Sequence, residues 1–197
     1  MPILDWLLRN NGVGCPIQGQ WAELRWLRRP PTGFVNRLRT AVDLFPCELL
    51  FVHRDAEAQP FESRQREIAA AVTEAFAEEL RPAWVCVVPV RMQEAWLLFD
   101  EAALRRAAGN PSGDAMLRLP ALGQCENLPE PKELLHNLLR EASGLSPRRR
   151  ARLRIGPIVR RVTEYTQDFA PLRGLPAFNT LEQNVRAAIA GNRWDAR

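Results

Sequence analysis

The stretch Cys47-Glu48-Leu49-Leu50-Phe51-Val52, continuing as His53-Arg54-Asp55-Ala56-Glu57, decides the fold. Its apolar run predicts a buried strand over residues 48–53. The run stops at two carboxylates, Asp55 and Glu57, and the segment then turns polar. In open α/β sheets, binding sites gather where strands end at their carboxyl edge, so these acids predict a site for a hard divalent cation. A solvated surface Asp-x-Glu has the same sequence, and that alternative stays open.

A second apolar run predicts a further strand over residues 84–90. Because it is apolar on both faces, it favours a parallel sheet covered by helices. The order helix, strand, helix, strand predicts α/β architecture, with a small, mostly parallel sheet flanked by helices. We expect a single domain over residues 1–197, made of an α/β core over residues 1–110 and a mainly helical extension over residues 111–197.

The predicted helices rest on apolar periodicity and on proline or glycine at their ends. They cover residues 2–10, 34–45, 65–80, a segment running to about 108, a segment opening at 130–132, 146–168 and 180–190. A short strand is predicted over residues 15–17.

Size and composition limit which classes of protein this chain can belong to. The chain has 197 residues, a net charge of +4 and 46% hydrophobic residues, which fits one globular domain. No apolar run approaches the about 20 residues that span a bilayer. The start lacks the basic region and small-residue cleavage site of a signal peptide. We therefore expect a cytoplasmic protein without a membrane segment.

The four cysteines, Cys15, Cys47, Cys86 and Cys125, lie far apart and lack the close spacing of a zinc site. We expect all four to be reduced and structural, and Cys47 and Cys86 to be buried in or beside strands.

Arginine dominates the basic residues, and its clustering predicts contacts with nucleic acid. Arg148, Arg149 and Arg150 open an arginine block at residues 148–154. Such a block often contacts phosphate, and a solvated helix face is an equal alternative. Residues 21–29 interleave two tryptophans with arginines, which suits single-stranded nucleic acid. Core tryptophans beside surface arginines would give the same pattern, and the sequence favours that interpretation.

A third acid, Glu94, follows the second predicted strand. If the strands are parallel neighbours, Glu94 converges with the two acids that follow the first strand. Because clustered carboxylates repel each other, a bound Mg²⁺ or Mn²⁺ would relieve the repulsion and assist attack on a phosphoryl group. Alternatively, Glu94 is only a carboxylate at a helix N-terminus, where the helix dipole favours a negative charge.

Two basic residues complete the predicted site. Lys132 is the sole lysine in a chain that uses arginine elsewhere. A compact charge there would stabilise a pentavalent phosphate, although it could equally be a surface lysine. Arg91 is a candidate phosphate ligand, or a partner of an acid nearby. The two histidines, His53 and His136, are too few for a histidine metal site, and we expect His53 beside the acids at the strand end.

These residues carry a family resemblance. The blocks are Leu50-Phe51-Val52-His53-Arg54-Asp55-Ala56-Glu57, Val88-Pro89-Val90-Arg91-Met92-Gln93-Glu94-Ala95-Trp96-Leu97-Leu98, Ala108-Gly109-Asn110-Pro111 and Glu130-Pro131-Lys132. They resemble the bacterial domain-of-unknown-function family 4276 over about residues 4–178, and Arg-Met-x-Glu-Ala-Trp is the most specific part. That family looks related to TOPRIM domains, the metal-binding fold shared by topoisomerases, primases and nucleases of the overcoming-lysogenization-defect type.

The resemblance implies a TOPRIM-like fold and a Mg²⁺- or Mn²⁺-dependent nuclease that acts with an ATPase partner in phage defence. Asp55 and Glu57 match the Asp-x-Asp metal motif, with glutamate replacing the second aspartate. Glu94 matches the family's acid before Ala-Trp. Lys132 matches the family's Pro-Lys position, which could parallel the basic residue of related nucleases.

The chain departs from the TOPRIM pattern at its start. A TOPRIM domain begins with a strand that ends in a glutamate, whereas this chain opens directly in the first helix. We expect either an incomplete start or a catalytically incomplete partner or nucleic-acid-binding subunit. The missing strand should leave a sheet edge that another segment or another chain covers, and a homo-oligomer is one form this could take.

Overall fold

The computed structural model describes residues 2–56, 59–78, 81–90 and 92–195. Two of the predicted site residues, Glu57 and Arg91, lie outside this described part of the chain. The α-helices and strands are α1 (Pro2–Asn10), α2 (Phe34–Leu44), β1 (Leu49–His53), α3 (Phe61–Ala75), β2 (Ala83–Val87), α4 (Glu101–Ala107), α5 (Pro131–Ala142), α6 (Pro147–Arg150), α7 (Ile155–Tyr165) and α8 (Pro176–Asn192). Short 3₁₀ turns cover Leu24–Trp26, Gln93–Leu97, Leu122–Asn127 and Ala170–Gly174.

Strands β1 and β2 pair in parallel, from Leu49 opposite Ala83 to His53 opposite Val87. The predicted α/β class with parallel neighbouring strands is therefore confirmed. The second strand ends three residues earlier than predicted, because Pro89 has no N–H group with which to extend a ladder. Helix α3 connects the two strands, as a parallel crossover requires.

Two compact units divide the chain. One, which we call the α/β unit, combines residues 7–88 with residues 181–195 of the described chain; the other, the helical unit, combines residues 2–6 with residues 89–180. The predicted division into residues 1–110 and 111–197 has other bounds than these two units, and it stays a prediction.

The core of the α/β unit forms where α2 and α3 pack together and cover the strands. It is built from small and branched apolar side chains that alternate along β1 and β2 and recur along the helices. Its buried members are Leu38, Val52, Ala56, Ile68, Ala71, Val72, Cys86 and Val88. This core fixes the strands, and so it fixes the position of the residues that follow them.

The helical unit packs α4, α5 and α7 against one another. The sequence predicted one helix over residues 146–168, and that prediction is wrong. The chain forms the single turn α6 and then starts again at α7, with Pro157 in the first turn of α7. A proline is tolerated there, but its ring would clash with the carbonyl group four residues earlier in a continuous helix.

Other helix limits also differ from the predictions. The helix predicted to reach residue 108 is divided into the 3₁₀ turn Gln93–Leu97 and helix α4. Asp100 starts α4, because its carboxylate accepts a hydrogen bond from the Ala103 N–H at 2.9 Å. Helix α8 begins four residues before its predicted start, at Pro176, a residue that suits a first turn.

The strand predicted at residues 15–17 is absent from the described structure, where this segment is irregular. All four cysteines are free, as predicted. Cys86 and Cys125 are buried, and burial raises the pKa of the Cys86 thiol to about 11. The prediction that Cys47 is buried is wrong, because it precedes β1 on an exposed stretch.

Candidate functional site

The carboxyl end of β1 positions His53 and Asp55. His53 is the last residue of the strand and lies opposite Val87, the last residue of β2, so both strands end at the same edge. The Arg54 N–H donates to the Val87 carbonyl at 3.0 Å and extends the ladder one residue further. In an extended chain, residues two apart point to the same side. The structure therefore places the His53 and Asp55 side chains together at the sheet edge.

The two side chains meet without a hydrogen bond. His53 Nε2 lies 3.3 Å from Asp55 Oδ1, and the side chains are 28% and 30% exposed. Both atoms are nevertheless shielded from solvent, and neither has a hydrogen-bond partner among the described residues. Buried polar atoms are almost always paired, and exceptions often mark a catalytic group or an ion site.

Arg54 points to the other side of the chain and has a structural role. Its guanidinium group lies 3.1 Å from the Glu67 carboxylate on α3 and 5.1 Å from the centre of the Phe34 ring on α2. These contacts join the end of β1 to both helices. They also leave His53 and Asp55 as the polar pair that faces the opposite side.

Glu94 and Lys132 lie on elements that pack together, and both act electrostatically on His136, a residue that the sequence analysis set aside. Glu94 lies in the turn Gln93–Leu97, which packs against α5, and Lys132 and His136 lie one helical turn apart on α5. Burial lowers the pKa of His136, and the positive charges of Arg140 and Lys132 lower it further. Glu94 acts in the opposite direction, which places its carboxylate within electrostatic reach of the imidazole.

This second group therefore combines an imidazole, an amine and a carboxyl group on the turn Gln93–Leu97 and helix α5. The sequence could have indicated His136 as a site residue, because it lies four residues after Lys132 and so on the same helix face. Asp55 belongs to the α/β unit and Glu94 to the helical unit. Their predicted convergence around one ion stays a prediction.

The arginine block is exposed. Arg148, Arg149, Arg152 and Arg154 are exposed, and Arg150 is half-buried. Arg150 donates to the Leu145 carbonyl at 3.3 Å. None of the five forms an ion pair within the part of the chain that the structure describes. The block is therefore a surface of uncompensated positive charge.

A cavity of about 340 Å³ lies along α3 and β2 in the α/β unit. Glu62, Arg66 and Trp84 contribute to its lining. None of the predicted site residues that the structure describes lines it. The candidate chemistry therefore lies at the strand ends and not in this cavity.

Within residues 2–56, 59–78, 81–90 and 92–195, no three His, Cys, Asp or Glu side chains are grouped closely enough to hold a metal ion. Glu57, one of the three predicted ligands, is not among those residues. In the same ranges, no helix has the length and apolar character needed to cross a membrane. A comparison with protein-family models, curated proteins and solved structures finds no match to this chain.

Proposed function

We propose that this chain is a divalent-metal-dependent, nuclease-like protein that hydrolyses phosphodiesters. The observation that carries the proposal is the unsatisfied pair of His53 Nε2 and Asp55 Oδ1, 3.3 Å apart at the carboxyl end of two parallel strands. Two ligands of one ion with bonds of about 2.1 Å stand roughly 3.0–3.4 Å apart, so the observed spacing fits a shared cation.

The proposed site assigns roles to named residues. Asp55 binds Mg²⁺ or Mn²⁺, Glu57 and Glu94 are further ligands on sequence grounds, and His53 adds a nitrogen donor. Bound there, the metal would polarise the phosphoryl group and lower the pKa of the attacking water. Lys132 supplies a compact positive charge to the phosphate, and the exposed arginine block, with Arg91, contacts the nucleic-acid backbone.

Cleavage of plasmid and oligonucleotide DNA and RNA, with Mg²⁺ or Mn²⁺ present, tests this function. Asp55→Asn removes a ligand charge and keeps the side-chain shape, so it should reduce cleavage to background. Asp43→Asn is the matched control, because Asp43 is an exposed acid on α2 of the same unit. Equal cleavage by all three proteins, or cleavage by none, contradicts the proposal.

A second candidate is a non-catalytic subunit that binds nucleic acid and an ATPase partner in bacterial defence. The uncompensated arginine block favours it, since such a surface binds phosphates without any metal centre. The ATPase partner rests on the family resemblance alone. Nucleic-acid binding that weakens with salt, without cleavage and without any effect of Asp55→Asn, would favour this candidate over the first.

A further inference from the structure

The segment between α1 and α2 is long and largely irregular. Over residues 13–33 the chain forms only the three-residue 3₁₀ turn Leu24–Trp26. Irregular segments of this length in compact domains usually have a binding function or are disordered. This one is anchored, because the turn packs against α2.

Two tryptophans of this segment are exposed to solvent. Trp26 is 84% exposed and Trp21 is 55% exposed, whereas Trp96 in the helical unit is 3% exposed. The structure therefore contradicts the interpretation that these are core residues. Large aromatic side chains are enriched at binding surfaces because they offer wide contact area at low conformational cost.

The charges around these tryptophans are positive. Glu23 is the single acid of residues 21–29, and Arg25 neutralises it through bonds of 2.8 and 2.6 Å to its two oxygens. This pairing lowers the pKa of Glu23 to about 2. Arg28 and Arg29 are exposed and form no ion pair within the described residues. With three arginines against one glutamate, the segment has a net charge of +2.

The Glu23–Arg25 pair also shapes the surface. The Glu23 carboxylate accepts from the Arg25 N–H at 3.4 Å and so starts the turn that ends at Trp26. The Leu27 N–H closes the turn on the Leu24 carbonyl at 3.4 Å. Trp26 is therefore presented by a defined turn.

We propose that Trp21 and Trp26, together with Arg28 and Arg29, bind single-stranded nucleic acid. The indole rings stack on unpaired bases, and the guanidinium groups contact the phosphates. Duplex bases already stack on one another and offer no free face, which excludes a duplex as the ligand of the indoles. The surplus of positive charge beside the rings favours a polyanion over an apolar protein surface. The inference deepens the proposed function, since it names the form of the substrate.

The test measures binding of fluorescein-labelled oligo(dT), oligo(U) and a duplex of equal length by anisotropy, with EDTA present. Wild type should bind the single strands more tightly than the duplex. Trp26→Ala should weaken single-strand binding about 10-fold, the effect of losing one stacked base. Met116→Ala is the matched control, because Met116 is 82% exposed in the helical unit and should leave binding unchanged.

The arginines are tested by salt dependence. The double variant Arg28→Gln, Arg29→Gln should reduce the slope of log K against log salt by about 1.4, at about 0.7 for each lost phosphate contact. Since both side chains are exposed, thermal unfolding should be unchanged in this variant and in Trp26→Ala.

Three outcomes overturn the inference: no single-strand binding, duplex binding as tight as single-strand binding, or full binding by Trp26→Ala. A surface that serves another protein would give the first of these. Asp55→Asn separates the two proposals, because it should bind normally in the anisotropy assay with EDTA and fail to cleave in the assay with Mg²⁺ or Mn²⁺. If Asp55→Asn cleaves normally while Trp26→Ala binds single strands about 10-fold more weakly, the proposed role of Asp55 is wrong and the binding surface stands.

Discussion

Two carboxylates, Glu126 in the helical unit and Asp55 in the α/β unit, differ in their hydrogen bonding. In the helical unit, the Glu126 carboxylate is 5% exposed and accepts hydrogen bonds from Trp96 Nε1 at 3.2 Å and from the Ala177 N–H at 3.3 Å. In the α/β unit, the His53 and Asp55 side chains are 28% and 30% exposed, but the atoms His53 Nε2 and Asp55 Oδ1 are shielded from solvent and have no hydrogen-bond partner among the described residues. The contrast teaches that a satisfied buried carboxylate supports the fold, whereas an unsatisfied one is available for a ligand.

Aromatic residues show the same contrast. Trp96 packs edge-to-face on Phe178 with ring centres 5.4 Å apart, and both are buried. Trp21 and Trp26 in the α/β unit are exposed. Trp96 and Phe178 stabilise the helical unit, whereas Trp21 and Trp26 of the α/β unit are presented to solvent.

The largest expected effect is on the aromatic pair. Phe178→Ala should lower the free energy of unfolding by about 3–5 kcal/mol, because it leaves a cavity and removes the contact with Trp96. Trp26→Ala should change it by less than about 0.5 kcal/mol. Urea unfolding followed by circular dichroism measures both. Similar losses in the two variants would contradict the division of roles.

The carboxylates give the next largest effect. Glu126→Gln should destabilise by about 1–3 kcal/mol, because an amide has one acceptor oxygen and leaves one of two buried N–H donors unpaired. Asp55→Asn should leave stability unchanged or raise it slightly, as expected for a functional group that carries strain. The same unfolding measurement compares them, and a larger loss in Asp55→Asn would remove the distinction.

The proposed role of His53 as a nitrogen ligand predicts a preference between metal ions. His53→Asn should weaken Mn²⁺ binding by about 10-fold, since it replaces an imidazole nitrogen with a weaker amide ligand. Mg²⁺ strongly prefers oxygen ligands and should be affected less, which makes it the internal control. Calorimetric titration of the variant with each ion gives the two affinities. Equal losses for both ions would show that His53 acts on the fold of the site and not as a ligand.

The smallest effect concerns pH and the helical unit. The pKa of His136 is lowered in the folded state from its ordinary 6.5, first by burial and then by Arg140 and Lys132. As pH falls through 6.5, the unfolded chain therefore binds the proton first and the fold loses stability. Between pH 7.5 and 5.5, wild type should lose slightly more unfolding free energy than His136→Gln. A smaller loss of unfolding free energy in wild type than in His136→Gln would contradict the lowered pKa of His136.

The sequence predicts the elements that local pattern controls. Two apolar runs separated by an amphipathic helix are enough to predict parallel strands, and the ladder from Leu49 to Val87 confirms them. Our sequence analysis missed the break between α6 and α7, although its cause is local, because Pro157 cannot sit inside a continuous helix.

What the sequence does not predict depends on tertiary packing. The exposure of Trp26 could not be predicted, because core tryptophans beside surface arginines give the same alternation of tryptophan and arginine in the sequence. The approach of Glu94 to His136 depends on how the turn Gln93–Leu97 packs on α5. The missing hydrogen bond between His53 and Asp55 is a matter of angle, which spacing along the chain does not set.

We propose that Asp55 binds a divalent cation at the carboxyl end of β1. Calorimetric titration with Mn²⁺ tests it directly, using wild type, Asp55→Asn and the exposed control Asp43→Asn. We expect one saturable Mn²⁺ site in wild type and in Asp43→Asn, and none in Asp55→Asn. Mn²⁺ binding of equal strength in all three proteins, or no binding by wild type, would contradict it.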